Sequence, residues 1–165
     1  MSREDVLREN KRECFDGMRA YHQSEISHAN RAITMLLAMA AAVGAVAVKV
    51  LFLEVPLDHV YGVVWGIFIV VLVFGGAIAG AAHIKISKDH EVYANFGAEY
   101  VRTCKLLGLY DPVSNGRIVS SDAIKNNENI GQGKGYRHTQ SIIWSFACIL
   151  VVLTLLFAIF IPYIL

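Results

Sequence analysis

Charged residues are nearly missing from three long stretches of this 165-residue sequence, although they form 18% of the whole. The stretches cover residues 32–53, 60–82 and 141–165, and Lys49 is the one charged residue inside them. A soluble domain normally carries about 25% charged residues. The depletion argues against a soluble class, and each stretch is long enough to cross the roughly 30 Å hydrocarbon core of a bilayer as a helix.

Cysteine is scarce as well, with three residues at irregular spacing: Cys14, Cys104 and Cys148. Their odd number argues against a disulfide framework, and their spacing matches no zinc or redox motif. The apolar stretches contain no carboxylate, which argues against a proton-coupled transporter. The six histidines form no HExxH motif or comparable ligand set, so we expect neither an enzyme nor a bound metal or cofactor.

The three apolar stretches predict an all-α membrane protein with three transmembrane helices, because they lack the alternating polarity of barrel strands. Residues 54–59 are so short a connection that the first two helices are expected to form a tight hairpin, with Pro56 in its turn. Residues 111–140 begin with Asp-Pro and are rich in glycine, asparagine and serine. This composition predicts a flexible cytoplasmic loop before the third helix, which is expected over residues 141–165.

Two amphipathic helices are predicted outside the apolar stretches, over residues 1–31 and 88–109, the second within a hairpin unit of residues 32–110. Each has an apolar stripe at helical spacing. The stripes are Leu7, Cys14, Phe15, Met18 and Tyr21 in the first helix and Tyr93, Phe96, Tyr100, Cys104 and Leu107 in the second. No proline separates the first helix from the first apolar stretch, so one continuous helix is expected there. The stripes are expected to pack on each other or on a neighbouring subunit.

Lysine and arginine are absent from the hairpin turn and from the C-terminal end of the chain. Residues 1–31 contain six of these cations and residues 84–140 contain eight. Because cationic residues accumulate on the cytoplasmic side of a membrane, the bias predicts a cytoplasmic N-terminus and a cytoplasmic long loop. Three spans then place the C-terminus outside.

Two cations mark the ends of the first apolar helix. Arg31 lies at its start and Lys49 near its other end, and their separation of 18 residues corresponds to five helical turns. Both therefore lie on one face, where the residues between them are small: Thr34, Ala38, Ala42 and Ala45. In one interpretation the small residues permit close helix packing while the cations extend to the two interfaces. In the other, copies of this face surround a pore in which rings of Arg31 and Lys49 favour anions.

The second apolar helix carries two GxxxG spacings, Gly62–Gly66 and Gly76–Gly80. Such spacings predict a close-packing helix face, since glycine lets two backbones approach each other. The partner of this face is either the first helix or another protomer.

The long loop contains a second glycine pattern, GQGKGYRH, at residues 131–138. Its backbone amides, cations and aromatic ring suit a phosphate or a stacked base. We therefore expect contacts to an anionic ligand from Lys134, Tyr136, Arg137 and His138. The alternative is a flexible linker with ordinary juxtamembrane cations.

The order of these segments resembles that of the SLATT-like membrane proteins. The first span is entered through HANRAITMLLAMAAAVGA, and the second is followed by KISKDHEVYANFGAEYVRTCKLLGL. The resemblance covers roughly residues 10–110, and this chain adds a third span and the loop before it. Proteins of that family are predicted effectors of bacterial anti-phage systems that act with nucleotide-synthesising partner proteins. The resemblance implies a homo-oligomeric pore in the bacterial inner membrane, controlled by a cytoplasmic nucleotide or oligonucleotide.

Two functions from different classes are compatible with these features. The leading hypothesis is a homo-oligomeric ion channel or pore-forming effector that favours anions and is gated by a cytoplasmic nucleotide or oligonucleotide. The alternative is a non-conducting membrane scaffold that recruits a soluble partner through residues 3–28 and 88–108. Ion flux through the purified protein separates the two.

Overall fold

The computed structural model describes residues 2–52, 57–109 and 135–164, and nearly all of them are helical. Helix α1 is Arg3–Phe52, helix α2 is Leu57–Leu106 and helix α3 is Gly135–Ile164. Each helix contains a stretch that is long and apolar enough to cross a membrane, judged by length and composition. The prediction of an all-α protein with three candidate transmembrane helices is therefore confirmed.

Helices α1 and α2 are both longer than the apolar stretches within them. α1 runs without interruption through the predicted amphipathic helix and the first apolar stretch, as expected. α2 joins the second apolar stretch to the second amphipathic segment in the same way, because residues 83–87 contain neither proline nor glycine. Residues 53–56, which include Pro56 of the predicted hairpin connection, and residues 110–134, which include most of the predicted loop, lie outside the described residues.

Helix α3 begins at Gly135, six residues before the predicted third span. The residues of this additional length were expected to belong to the flexible loop. Contacts with α2 are among the interactions of these residues. The ring of Tyr136 packs on the ring of His90, and the Gln140 side-chain amide donates a hydrogen bond to the His83 carbonyl at 3.2 Å. These partners lie far away in the sequence, so local composition does not indicate them.

Two helix ends are closed by local hydrogen bonds. Before α1, the backbone amide of Asp5 donates to Ser2 Oγ at 3.2 Å, while the Ser2 amide and hydroxyl donate to Asp5 Oδ2 at 2.8 and 2.7 Å. The hydrogen bonds from Ser2 hold the pKa of the Asp5 carboxyl below its usual range. After α2, Gly108 has a φ of 66°, which lets the Leu109 amide donate to the Cys104 carbonyl at 3.1 Å.

The chain divides into two compact units. The first unit consists of Met1–Ser27 and Lys85–Tyr136, and the second consists of His28–Ile84 and Arg137–Leu165. Each of the long helices α1 and α2 contributes one part to each unit. The amphipathic segments therefore belong to the first unit, and the apolar stretches belong to the second.

The core of the first unit is formed by the two predicted apolar stripes, which pack on each other. The ring centroids of Phe15 and Tyr100 are 6.3 Å apart, and those of Tyr21 and Phe96 are 5.9 Å apart. Three further stripe residues are buried: Cys14, Met18 and Cys104. Of the two arrangements that the sequence allowed, packing within one chain is the one observed.

The second unit packs through a small set of residues and leaves much apolar surface exposed. Its buried cluster contains Val50, Val60, Val64 and Ala158. Only 11% of the apolar segment of α1 is buried, against 22% for α2 and 28% for α3. Several large apolar side chains are more than half exposed, among them Phe74, Leu153 and Phe160. Soluble proteins rarely expose so much continuous apolar surface, so these helices suggest a membrane protein.

Candidate functional site

The predicted pore-lining face of α1 is exposed within the second unit. All six of its residues are exposed: Arg31, Thr34, Ala38, Ala42, Ala45 and Lys49. The buried residues of the same segment include Ala32 and Val50, which directly follow Arg31 and Lys49. One residue corresponds to a rotation of about 100° around a helix, so each cation lies well away from the buried line. The face between the two cations is thus accessible to lipid, water or another molecule.

Neither cation on this face has an ion-pair partner within residues 2–52, 57–109 and 135–164. A charge at the centre of a membrane helix costs ~2.5–3.5 kcal/mol on insertion scales, and long side chains lower the cost near the ends. Lys49 lies three residues before the end of α1, and its flexible stem lets the ammonium reach the polar interface. The charge of Lys49 is therefore compatible both with close helix packing and with a pore. Its alignment with Arg31 and the small residues on one face is a more specific indication of a pore.

The glycines predicted to form a close-packing face have no neighbour in the described part of the chain. A Cβ atom built on Gly62, Gly66, Gly76 or Gly80 would meet nothing within 4 Å outside its own helix backbone. The contact expected from these spacings is therefore not made with α1 or α3 of the same chain as far as they are described. Packing against another protomer stays a prediction.

The structure describes three of the four residues predicted to contact an anionic ligand: Tyr136, Arg137 and His138. Lys134 lies outside the described residues. Tyr136 belongs to the first unit, where its ring stacks on His90 with centroids 3.9 Å apart and an interplanar angle of 20°. Arg137 and His138 belong to the second unit and are exposed. Their role in ligand binding stays a prediction.

His90 also takes part in a polar cluster of the first unit. Its Nδ1 atom lies 3.2 Å from Glu25 Oε1, and the Nδ1 atom of His22 lies 3.6 Å from Glu25 Oε2. The side chains of His90 and Glu25 are 15% and 12% exposed, whereas that of His22 is 61% exposed. Each of the two oxygens of the Glu25 carboxylate therefore lies near the Nδ1 atom of one imidazole. The sequence analysis treated these histidines separately, because the contact of Glu25 with His90 joins residues 65 positions apart.

Two neighbouring clefts on the first unit combine cations with aromatic rings. One has a volume of about 300 Å³ and is lined by Arg8, Lys11, Arg12, Phe15 and Tyr100. The other has a volume of about 320 Å³ and is lined by Phe15, Met18, Arg19, His22 and Tyr93. Phe15 contributes to both clefts and is 53% exposed, which is unusual for so large an apolar ring. We refer to them as the Arg12 cleft and the Arg19 cleft.

The cations of the Arg12 cleft are only weakly engaged by the chain itself. Arg8 pairs with Glu4 at 2.6 Å, and Arg12 lies 4.0 Å from Asp16, with all four side chains more than 60% exposed. Exposed ion pairs of this kind contribute about 0–1 kcal/mol, so an anion that enters the cleft displaces them at little cost. The Arg12 cleft therefore offers positive charge that a ligand can use.

The signal for this cleft was present in the sequence. Arg8, Lys11, Arg12 and Phe15 follow each other at steps of three, four and seven residues from Arg8, which places them on one helix face. The sequence analysis used the cations for membrane orientation and Phe15 for core packing. The spacing does not indicate Tyr100, the residue of α2 that lines the same cleft.

The described residues contain no group of three histidine, cysteine or acidic side chains that could hold a metal ion. Comparison with protein-family models, with curated proteins and with solved structures gave no match.

Proposed function

We propose that this protein is a homo-oligomeric ion channel or pore-forming effector that favours anions. The observation that carries the proposal is the exposed face of α1, on which small residues separate Arg31 from Lys49. A pore needs a face that its own chain leaves uncovered and that has room for water. This face meets both requirements, since its central residues are alanine and threonine.

Oligomerisation is part of the proposal because three helices cannot enclose an aqueous path. The apolar segment of α1 is the least buried of the three, at 11%, so it retains the most surface for contacts between copies. Glycines of α2 such as Gly62 and Gly66, where an added Cβ atom would meet nothing in the described parts of the chain, supply a second surface at which helices of different copies can approach closely. In such an assembly the Arg31 and Lys49 side chains form two positive rings, which attract anions and repel cations.

We further propose the bacterial inner membrane as the location, with a cytoplasmic N-terminus and an outer C-terminus. The distribution of cations supports the orientation, with six in residues 1–31, eight in residues 84–140 and none after residue 140. The bacterial inner membrane is what the family resemblance implies. The first unit then lies in the cytoplasm. It provides the surface on which a nucleotide or oligonucleotide, made by a partner protein, controls the pore, as the family resemblance implies.

Substituted-cysteine labelling tests the pore assignment directly. In a variant with its native cysteines replaced, Ala38→Cys and Ala45→Cys are labelled by a membrane-impermeant thiol reagent once the pore is open. Leu37→Cys and Val48→Cys are the matched controls, because both native residues are exposed but lie off the small-residue face. Equal labelling of all four positions, or labelling of the controls alone, would contradict the assignment.

The mass of the purified particle and ion flux from liposomes separate the channel from the scaffold alternative. We expect a homo-oligomer and chloride release. A strictly monomeric particle, or liposomes that keep their chloride gradient in the presence of every nucleotide tested, would contradict the channel and favour a scaffold.

A further inference from the structure

The Arg12 cleft presents three cations from two successive turns of α1, Arg8, Lys11 and Arg12, beside two aromatic rings. Guanidinium groups bind phosphate through two parallel hydrogen bonds, and a lysine adds a mobile point charge. Lys11 has no partner among the described side chains, and the pairs of Arg8 and Arg12 are exposed. The cleft is therefore suited to a ligand that carries more than one negative charge.

The aromatic wall of the cleft indicates that the ligand also has a planar ring. Phe15 and Tyr100 meet at an interplanar angle of 44° with centroids 6.3 Å apart, so they do not stack flat on each other. Phe15 is 53% exposed and lines the cleft together with the cations, so part of its ring is accessible to a ligand there. Bases stack on such rings, whereas inorganic phosphate and an inositol phosphate headgroup have no planar ring that could stack there.

We infer that the Arg12 cleft binds a nucleotide, with its phosphates on Arg8, Lys11 and Arg12 and its base on Phe15 and Tyr100. The inference rests on the proposed control by a cytoplasmic nucleotide and supplies the site at which that control begins. The volume of about 300 Å³ matches the lower range of small-molecule sites, about 300–1,000 Å³. A single nucleotide fits this range.

The Arg19 cleft extends the same site to a longer ligand. It shares Phe15 with the Arg12 cleft and adds one further cation, Arg19, and two further rings, those of His22 and Tyr93. The ring centroids of Tyr93 and His22 are 6.3 Å apart at an angle of 46°, an open arrangement like that of Phe15 and Tyr100. A dinucleotide or short oligonucleotide occupies both clefts and binds more tightly than a mononucleotide for that reason.

Binding to the full-length protein in lipid nanodiscs tests the inference. The probes are ATP, the dinucleotide pApA, tripolyphosphate, adenosine and inositol trisphosphate. We expect pApA and ATP to bind, tripolyphosphate and inositol trisphosphate to bind more weakly, and adenosine to bind least. Affinity for ATP falls as salt is raised, because its phosphates displace counterions of the cations.

Variants of exposed residues assign the binding to the cleft. Arg8→Gln combined with Arg12→Gln weakens the binding of ATP and the binding of tripolyphosphate to the same degree. Phe15→Leu lowers the affinity for ATP by about tenfold, as expected for the loss of one base–aromatic stack, but leaves the affinity for tripolyphosphate unchanged. Tyr93→Leu weakens the binding of pApA more than the binding of ATP. Arg102→Gln is the matched control, since Arg102 is an exposed cation of the first unit that lines neither cleft and pairs with Glu99 at 3.7 Å.

The outcomes separate this inference from the proposed function. Absence of nucleotide binding to the wild type, or a loss in Arg102→Gln equal to that in the cleft variants, overturns the inference. Normal nucleotide binding by the cleft variants together with its loss in Lys134→Gln/Arg137→Gln also overturns it and assigns the ligand to residues 131–138, with the channel unaffected. Binding that depends on the cleft without any chloride flux supports the inference and contradicts the channel. Tighter binding of inositol trisphosphate than of ATP overturns the inference in favour of a lipid headgroup.

Discussion

The imidazole of His90 and the phenol ring of Tyr136 lie nearly parallel, with their centroids 3.9 Å apart and an interplanar angle of 20°. This contact joins the first turn of α3 to α2 within the first unit. The other side of the same cluster is occupied by Glu25, which lies 3.2 Å from His90 Nδ1. His90 thus connects segments from all three helices, and its removal should loosen each of them.

Tyr136→Ala is expected to lower the stability of the purified protein by about 0.5–1.5 kcal/mol, the contribution typical of an aromatic pair beyond its buried area. The measurement is thermal unfolding in detergent. Tyr136→Phe keeps the ring and should retain the wild-type melting temperature to within a small difference. His138→Ala, an exposed neighbour, is the second control. A melting temperature of Tyr136→Ala equal to that of His138→Ala would show that the stack does not form.

A partly buried hydrogen bond elsewhere in the first unit gives a second prediction. Asn10 Nδ2 donates to Thr103 Oγ1 at 3.0 Å, and Thr103 is 1% exposed. Asn10→Ala leaves the buried hydroxyl without this partner and is expected to cost about 1–3 kcal/mol. Asn10→Ala combined with Thr103→Val removes both groups and should recover part of the loss. Strict additivity of the two substitutions in a double-mutant cycle would contradict the bond.

Gly17 packs so closely against the ring of Phe96 that a larger side chain would not fit at this position. A Cβ atom at Gly17 would lie 2.9 Å from two carbon atoms of the Phe96 ring, whereas one at Gly44 would meet nothing within 4 Å. Helix propensity favours alanine over glycine by about 1 kcal/mol at both positions. We expect Gly44→Ala to keep or raise the melting temperature and Gly17→Ala to lower it. Adding Phe96→Leu should restore stability to Gly17→Ala, and failure to do so would argue against the contact.

The thiol of Cys14 is expected to react slowly with alkylating reagents. Burial raises its pKa, and the nearby carboxylates of Glu99 and Glu13 add to the effect. A higher pKa means less thiolate at any pH below it, so alkylation of Cys14 should require a more alkaline solution in the folded protein than in urea. Mass spectrometry after a short pulse of N-ethylmaleimide at several pH values measures this. Identical pH profiles for folded and unfolded protein would contradict the packing of the first unit.

The helices were largely predictable from local sequence. The absence of proline and glycine over residues 83–87 explains why α2 continues, just as the absence of proline before the first apolar stretch predicted an unbroken α1. The stripes that pack in the first unit were visible as helical spacing of residues such as Met18 and Phe96. Their pairing was one of two possibilities, because an apolar stripe does not specify what covers it.

The features missed by the sequence analysis all depend on contacts between distant segments. Phe15 and Tyr100 are 85 residues apart, and their helical spacing places each in an apolar stripe without indicating that the two rings line one cleft. The early start of α3 depends in the same way on His90 and His83, which receive Tyr136 and Gln140. Periodicity identifies which face of a helix is apolar, but the register between two helices is decided by packing.

The ion selectivity of the reconstituted protein tests the central claim most directly. Reversal potentials are recorded in planar bilayers under a chloride gradient for the wild type, Lys49→Glu and Arg31→Glu, with Arg102→Glu as a control outside the small-residue face. If Arg31 and Lys49 form rings around the pore, the wild type prefers anions, and each of the first two substitutions shifts the preference towards cations while the control does not. Currents with the same anion preference in Lys49→Glu and Arg31→Glu as in the wild type would contradict the account.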